Sequence, residues 1–422
     1  VRREPTTVTV REPLSLRAFR LYWSASTLGF AGLAITTVAV DVLVIDVLHA
    51  SEAQVGMVRA AQFLPYLVLG LIAGAHVDRW RRRRTMIGFT LVHALLLMGI
   101  PVAHLAGALS VTSVAIVLFG VGCCTVYTAA AEQAYLPDLV PRRSLVLANA
   151  RLGQAMSVSQ TAGPALAGFL VAALGAPMTL LASSLARVLA AVGLGRIRRP
   201  EPPPDAEHRP MRGEIHQGLS FTYRHRTLAP LAWSTHLWFL ANSVAITVLG
   251  LFVLRDLSLS PAVYGAVLTA AGIGSLVGAL GASRAARLVG EGTVIVLARS
   301  VCALTWVGIA LTPSAPTTGT PWATLFCLGA MQLVYGMTMG LEDPSEMGYR
   351  QAVTPRAMLG RVNSVLRSAN RSMAVLGSLL GGALATALDF RTTLLAVAAL
   401  FGVAAGIGAL SPLRGARATA TS

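Results

Sequence analysis

The chain reads as an all-α integral membrane protein of twelve transmembrane helices in two pseudo-symmetric six-helix halves. Three observations carry that reading. Of 422 residues, 55% are hydrophobic and only 12% are charged, against roughly 25% charged in a soluble protein, and the mean hydropathy is +0.66. Apolar runs of the roughly 20 residues needed to cross a bilayer recur along the whole length. The arginines gather in alternate connectors between those runs, as the positive-inside rule requires.

The runs fall at about 18–44, 53–76, 85–106, 110–134, 145–173, 177–195, 228–253, 262–283, 292–312, 321–348, 362–386 and 392–411. Arg2, Arg3, Arg11, Arg17 and Arg20 stand before or at the start of the first run. The connector around His49 has no arginine, the next holds Arg79 and Arg81 to Arg84, and the one around Ala106 again has none. Arg142 and Arg143 follow on the rich side, and Gly175 to Pro177 is neutral. In the second half only Arg255 and Arg391 stand on the poor side. Twelve crossings with both termini cytoplasmic, in the inner (cytoplasmic) membrane of a cell, satisfy this alternation. The organisation expected is an N-terminal segment 1–17, a first half 18–195, a cytoplasmic linker 196–227, a second half 228–411 and a tail 412–422. The linker opens on Arg196-Ile-Arg-Arg-Pro-Glu-Pro-Pro-Pro204, where proline forbids a continuing helix, and Met211 to Tyr223 suits a surface helix.

A net charge of +16 would suit nucleic-acid binding if the basic residues formed one face. They sit instead in short clusters between apolar runs, and all 34 are arginine, so no nucleic-acid partner is expected. Cys123, Cys124, Cys302 and Cys327 lie inside apolar runs, which argues against a disulfide framework or metal site. The polar, arginine-rich first twenty residues do not read as a cleavable signal peptide. No P-loop, H-E-x-x-H or G-x-S-x-G pattern occurs, so neither enzyme activity nor drive by ATP is expected. The halves also repeat: adding 214 to Glu132, Pro141, Arg142, Asn149, Gly163 and Gly168 gives Glu346, Pro355, Arg356, Asn363, Gly377 and Gly382. Parallel six-helix repeats mark one class of secondary transporter.

The connector between the second and third runs reads Gly74-Ala-His-Val-Asp78-Arg79-Trp-Arg-Arg82-Arg83. It resembles the gate signature of the major facilitator superfamily, G-x-x-x-D-R-x-x-R-[RK], with Arg81 where glycine is usual. The resemblance implies that Gly74 lets helices approach closely. It also implies that Asp78 with Arg79, Arg82 and Arg83 latches a cytoplasmic gate through acid–arginine pairs and a neighbouring helix end. An equivalent in the second half, Gly278 to Arg287, lacks the acid. The fifth run contains Ser159-Gln-Thr-Ala-Gly163-Pro164-Ala-Leu-Ala-Gly168. This resembles the superfamily's antiporter motif, with Gly163, Pro164 and Gly168 present and Ser159 and Ala167 replacing two glycines. The motif implies export; ordinary small-residue helix packing is the alternative. With Ser15 to Trp23, Ala131 to Pro141, Gly360 to Asn363 and Glu214 to Arg226, the chain is similar to the exporter branch that includes macrolide and enterobactin efflux proteins. The arginine that branch often carries in its fourth helix is missing from Ser113 to Gly122.

Charges inside the apolar runs cost about 2.5–3.5 kcal/mol each at mid-membrane, so each should be paired or face water. Asp41 and Arg59 both lie roughly 10 Å from the outer surface, at matched depth on antiparallel neighbours. Asp41 therefore reads as a proton site or as half of a structural ion pair. Glu342 and Glu346 are four apart, as are Arg367 and Arg371; in an antiparallel hairpin 342 faces 371 and 346 faces 367. Two stacked bridges, Glu342–Arg371 and Glu346–Arg367, are expected, with Asp343 facing elsewhere as a substrate, proton or local structural group. Glu132 has Arg142, Arg143 or Arg151 as expected partners, and Arg187, midway along its run, must face protein. His236 and Asn242, flanked by Trp233, Trp238 and Phe239, suit an amphiphilic ligand or a lipid interface.

The resemblance implies a proton-coupled exporter of a drug-like or secondary-metabolite molecule, working by alternating access. It would need no cofactor beyond the proton motive force, and would act as a monomer in the lipid bilayer with protons and a small amphiphilic substrate as partners. A siderophore exporter of the same fold, a non-transporting receptor and a lipid flippase are the alternatives.

Overall fold

The computed structural model describes residues 12–199, 201, 211–314, 322–355 and 358–417, with the backbone alone at a few of these, including Gly74, Asp78 and Arg142. Lipid offers no hydrogen bonds, so a crossing chain must satisfy its backbone internally, and helices do so. Six long helices form the first half: α1 (Arg17–Val42), α2 (Glu52–Arg79), α3 (Arg82–Leu105), α4 (Val111–Leu139), α5 (Leu145–Leu174) and α6 (Ala176–Gly195). A short helix, α7 (Met211–Arg224), follows the linker. Six more form the second half: α8 (Leu228–Leu251), α9 (Pro261–Val289), α10 (Glu291–Ala310), α11 (Trp322–Val353), α12 (Leu359–Ala387) and α13 (Phe390–Ala409). Ten of the twelve long helices are apolar enough on composition to cross a membrane, among the described residues. The other two, α2 and α12, are as long, at 28 and 29 residues, and meet each other across the halves. Large apolar side chains such as Leu280 and Phe326 are each 79% exposed, as a lipid-facing surface requires.

The connectors differ at the two ends. At the arginine-poor end four of the entering helices are side-chain capped: Ser51 and Ser110 close capping boxes with Gln54 and Ser113, Ser260 caps α9 and Asp389 caps α13. The hydroxyl and backbone N–H of Thr392 donate to Asp389 at 2.6 and 2.9 Å and hold its carboxyl below the usual carboxylate range. The first helix of each half ends there in a π-helical turn, Leu43–Val47 after α1 and Phe252–Asp256 after α8. The two poor-side arginines are explained by their partners. Arg391 donates to the carbonyls of Ala310 and Thr312 at 2.9 and 2.7 Å, closing the C-terminus of α10. Arg255 reaches across to the other half.

Within each half the packing repeats. α1 packs on α5 and α6, α2 on α4, and α3 on α4 and α6; α8 packs on α12 and α13, α9 on α11, and α10 on α11 and α13. Between halves, α2 packs on α12 and α5 on α9. Both crossings are built on glycine at the arginine-poor end. A Cβ on Gly56 would sit 3.0 Å from Gly382 Cα, and one on Gly168 would sit 3.2 Å from Gly265 Cα. The repeat seen in sequence is thus a repeat of contacts. Gly163 and Gly377 pack on the first helix of their own half, at Ala34 and Leu240, whereas Gly168 and Gly382 pack on the opposite half.

The surface helix α7 packs on α12 and α8, with Gly218 against the Arg361 backbone and Arg361 donating to Gln217 at 2.6 Å. Inside the second half, α9 and α11 approach so closely that a Cβ on Gly336 would overlap the Ala271 carbonyl, whereas nothing lies within 4 Å at Gly348. Gly336→Ala should therefore cost at least the roughly 1–3 kcal/mol of an overpacked core and lower the melting temperature of the detergent-purified protein. Gly348→Ala, on the same helix, should leave it unchanged.

Candidate functional site

Three groups of charged side chains occupy the membrane-embedded region, and they do different things. The first lies between the halves at the arginine-poor end. Arg59 donates to Asp41 Oδ2 at 2.6 Å, and the Tyr264 hydroxyl donates to the same oxygen at 2.8 Å. Asp41 is on α1 and Tyr264 on α9, so one carboxylate holds a partner from each half. Its side chain is 5% exposed and that of Arg59 11%. Alongside, Arg255 donates to the carbonyls of Ile45 and Ala50 at 3.0 and 2.6 Å and to Glu52 at 3.3 Å. This clasp surrounds the glycine crossings. The short connector before Ser51 keeps α1 and α2 close enough for Arg59 to reach Asp41. Tyr264 was not among the expected residues; a lone tyrosine in an apolar run carries no charge to flag it.

The second group braces the second half from within. Arg299, 1% exposed on α10, donates to Glu342 at 2.7 Å and to Glu346 at 3.0 Å, both on α11. It also donates to the hydroxyls of Ser234 and Thr235 on α8, the latter at 2.8 Å. Arg350 adds a bond to Glu346 at 3.2 Å. The expected bridges from Glu342 to Arg371 and from Glu346 to Arg367 do not form. They presumed that α11 and α12 are neighbours, but α11 packs on α9 and α10 while α12 crosses to α2 and α8. Arg299 was not among the expected residues, although an arginine at the eighth position of the run 292–312 is visible in the sequence. Asp343, one step round the helix, is exposed rather than buried with Glu342.

Glu132 occupies the place of Glu346 in the first half, and two of its three expected partners stand elsewhere. Arg151 bonds instead to Glu12 at 2.9 Å, Arg143 is exposed, and the Arg142 side chain lies outside the described residues. Arg187, which acts on Glu132 electrostatically but makes no ion pair with it, faces protein beside Gly29 and Gly32 of α1. His236 and Asn242 have separate partners. His236 bridges the Tyr223 hydroxyl of α7 at 2.7 Å and Asn370 of α12 at 2.6 Å. Asn242 accepts a bond from the Tyr335 hydroxyl of α11. Trp238 is buried against Phe401, whereas Trp233 is 57% exposed, so the flanking aromatics diverge.

The gate signature lies at the arginine-rich end of the first half. Arg82 pairs with Asp138 at the end of α4, at 2.8 Å. Arg83 donates to the carbonyls of Leu194 and Gly195 at the C-terminus of α6, the former at 2.9 Å, and its N–H donates to Glu201 at 2.5 Å. Cations at helix C-termini complete free carbonyls and oppose the dipole. Arg79 is exposed, and the surroundings of Gly74 and the side chain of Asp78 lie outside what is described. Trp80 stacks with His76 and Tyr127, at ring centroids of 5.3 and 5.7 Å. Of the second motif, Gly163 and Pro164 sit within α5, and Gly168 forms the crossing onto α9 described above.

The third group lines a cavity of about 490 Å³ between α2, α4 and α12, towards the arginine-rich end. Arg367, Arg371, Asn363 and Ser364 of α12 face Tyr66 of α2 and Gln133 of α4, with Ala129, Ala130 and Gly70 between. The helices that touch through glycine at one end thus part at the other, and leave a cavity of the size small molecules occupy. No cluster of His, Cys, Asp or Glu among the described residues suits a metal.

A chain folded as two six-helix repeats around such a cleft has the architecture of a multi-pass membrane transporter. Residues 8–422 match the transmembrane secretion effector family, and the chain belongs to that family of major facilitator transporters. It is 28% identical to the multidrug efflux pump Tap of Mycolicibacterium fortuitum over 93% of each chain. It is 25% identical to Tap of Mycobacterium tuberculosis over 89% of this chain and 88% of the relative. Among solved structures it resembles the nucleoside transporter NupG, with a TM-score of 0.73 and 13% identity over 93% of this chain and 98% of that one. It also resembles a bacterial homologue of the iron transporter ferroportin in an inward-facing state, with a TM-score of 0.73 and 16% identity over 93% and 98%. At these identities the structural likeness bears on the fold alone.

Removing Arg299 leaves the buried Glu342 without its cation and Glu346 with Arg350 alone, a loss of about 3–5 kcal/mol for a broken buried pair. Arg299→Leu should strongly lower the melting temperature or prevent purification of a monodisperse protein. Arg299→Lys, which keeps a charge but not the forked geometry, should recover part of the loss.

Proposed function

We propose that the protein is a proton-coupled exporter of drug-like small molecules in the cytoplasmic membrane. The arginine-rich end and both termini would face the cytoplasm, as the positive-inside rule directs. The observation that carries this reading is the asymmetry between the two ends: the halves are sealed by glycine crossings at one and parted around a cavity at the other. On that orientation the cavity opens to the cytoplasm, where an exporter collects its cargo. The likeness over 93% of its length to a pump named for multidrug efflux supports the direction and the breadth of cargo. Export then requires the outer seal to open and the cleft between α2 and α12 to close.

Asp41 is the carboxylate best placed to link a proton to that exchange. A proton and Arg59 compete for the same carboxylate, and a proton on Oδ2 also displaces the bond from Tyr264. Proton uptake and the closed clasp are therefore alternatives. With the outer seal open, Asp41 is free to take a proton from outside; when the seal closes, Arg59 and Tyr264 replace it. The chain would act as a monomer, each half moving as a body braced by its own acid–arginine group.

Cells lacking their own pumps and expressing the protein should expel fluorescent and antibiotic probes, and a protonophore should abolish the efflux. Asp41→Asn should retain membrane insertion and probe binding but lose at least tenfold in protonophore-sensitive efflux. Efflux by Asp41→Asn at the wild-type rate would remove Asp41 from coupling. Protonophore-insensitive efflux, or none across a broad panel, would overturn the proton-coupled reading.

A further inference from the structure

We propose that Arg367 and Arg371 form an anion-binding site in the cavity between α2, α4 and α12, taking the carboxylate or phosphate of an amphiphilic ligand. Neither arginine has an ion-pair partner among the described residues, although both stand on a membrane-spanning helix. Arg371 lies ~18 Å along α12 from its start at Leu359, at 1.5 Å per residue, close to mid-membrane. Of the other arginines so deep in the described structure, Arg59 is paired with Asp41 and Arg299 with Glu342 and Glu346. Arg350, which also faces Arg367, is engaged by Glu346. Among the described residues, the lining of the cavity contains no carboxylate.

The geometry suits capture rather than mere tolerance of charge. The Arg371 guanidinium lies over the Tyr66 ring at 4.7 Å and near Phe63 at 5.8 Å. Stacking fixes the plane of the group and leaves its edge, with its forked N–H donors, to meet a carboxylate or phosphate side on. Arg367 follows one turn earlier on the same face. Between these groups and the arginine-rich end, the amide oxygen of Asn363 is buried without a hydrogen-bond partner. It can accept from a hydroxyl or amide of the same ligand. Ala129, Ala130 and Val126 give the opposite wall an apolar surface. The ligand that fits is an anion with an apolar or aromatic body and one hydrogen-bond donor. Calling that ligand the cargo rests on the exporter reading; the site itself does not.

The test uses the full chain in phosphatidylcholine nanodiscs, with carboxyfluorescein as the anionic probe and rhodamine 6G as a planar cation, each followed by fluorescence anisotropy. A charge-assisted hydrogen bond is worth about tenfold or more in affinity. Arg367→Gln and Arg371→Gln should each weaken carboxyfluorescein by about that factor and leave rhodamine 6G unchanged or tighter. Arg371→Lys should recover part of the affinity, which a misfolded variant would not. Adding phosphatidylglycerol to the nanodiscs separates two sources of the anion. If a lipid headgroup fills the site, it should displace the dye from the wild type, and native mass spectrometry should show it retained there and lost from the double variant. If the site takes free anions, the dye should bind equally in both lipids; either result supports the site. Carboxyfluorescein and phosphatidylglycerol binding that ignores both substitutions, or equal loss of both dyes, would overturn it. Failure of the site with efflux intact leaves the exporter reading standing. An arginine-dependent anion site without efflux would mean the reverse.

Discussion

The structure depends on a backbone-to-backbone approach that only glycine permits. At the arginine-poor end α2 meets α12 through Gly56 and Gly382, and α5 meets α9 through Gly168 and Gly265. Apolar side chains gain little by leaving lipid for one another, so helices in a membrane are held by close packing and by hydrogen bonds. Both are concentrated here. The glycines bring four helices from two halves into contact, and Asp41, Tyr264 and Arg255 place their hydrogen bonds around that contact. Among the described residues the opposite end lacks such crossings between α2, α4 and α12, and the cavity lies there.

The buried charges sort by what they join. Asp41 with Arg59 and Tyr264 joins the halves. Arg299 with Glu342 and Glu346 joins helices within one half, as Arg187 does electrostatically with Glu132 in the other. The internal repeat kept the acid, at Glu132 and Glu346, but changed the helix that answers it: α6 in the first half and α10 in the second. Each half is thereby stiffened from inside while the contact between halves rests on few groups. That distribution suits two bodies that rock about a seal. Arg367 and Arg371 belong to neither class and face the cavity.

Most of the fold was legible because lipid leaves a chain few choices. Long apolar runs and alternating arginines give spans and their directions without reference to packing, and the offset of 214 between Gly163 and Gly377, or Gly168 and Gly382, already carried the symmetry of the contacts. What depth cannot supply is which helices are neighbours. Matched depth served for Asp41 and Arg59, because at the sealed end the helices converge around a short connector. The same argument misled at Glu342, Glu346, Arg367 and Arg371, because at the parted end α12 leaves α11 and crosses to α2. Tyr264 was illegible for a different reason: a neutral hydroxyl in an apolar run becomes significant only when tertiary structure sets it against Asp41. Arg299 was as legible as Arg59 or Arg187, an arginine inside an apolar run, but no acid at matched depth on a sequence neighbour pointed to it.

The most direct test of two ends that open in turn is a pair of distances measured across the α2–α12 crossing. The four native cysteines, Cys123, Cys124, Cys302 and Cys327, would first be replaced. One spin-label pair would then be placed near the sealed end, at Glu52 and Leu384, and another near the parted end, at Arg81 and Arg361. Double electron–electron resonance would be recorded at pH 5 and pH 8, with and without an exported probe. The account predicts reciprocal change: conditions that lengthen the Glu52–Leu384 distance shorten the Arg81–Arg361 distance. Distances that stay fixed at both ends, or lengthen together, would contradict it.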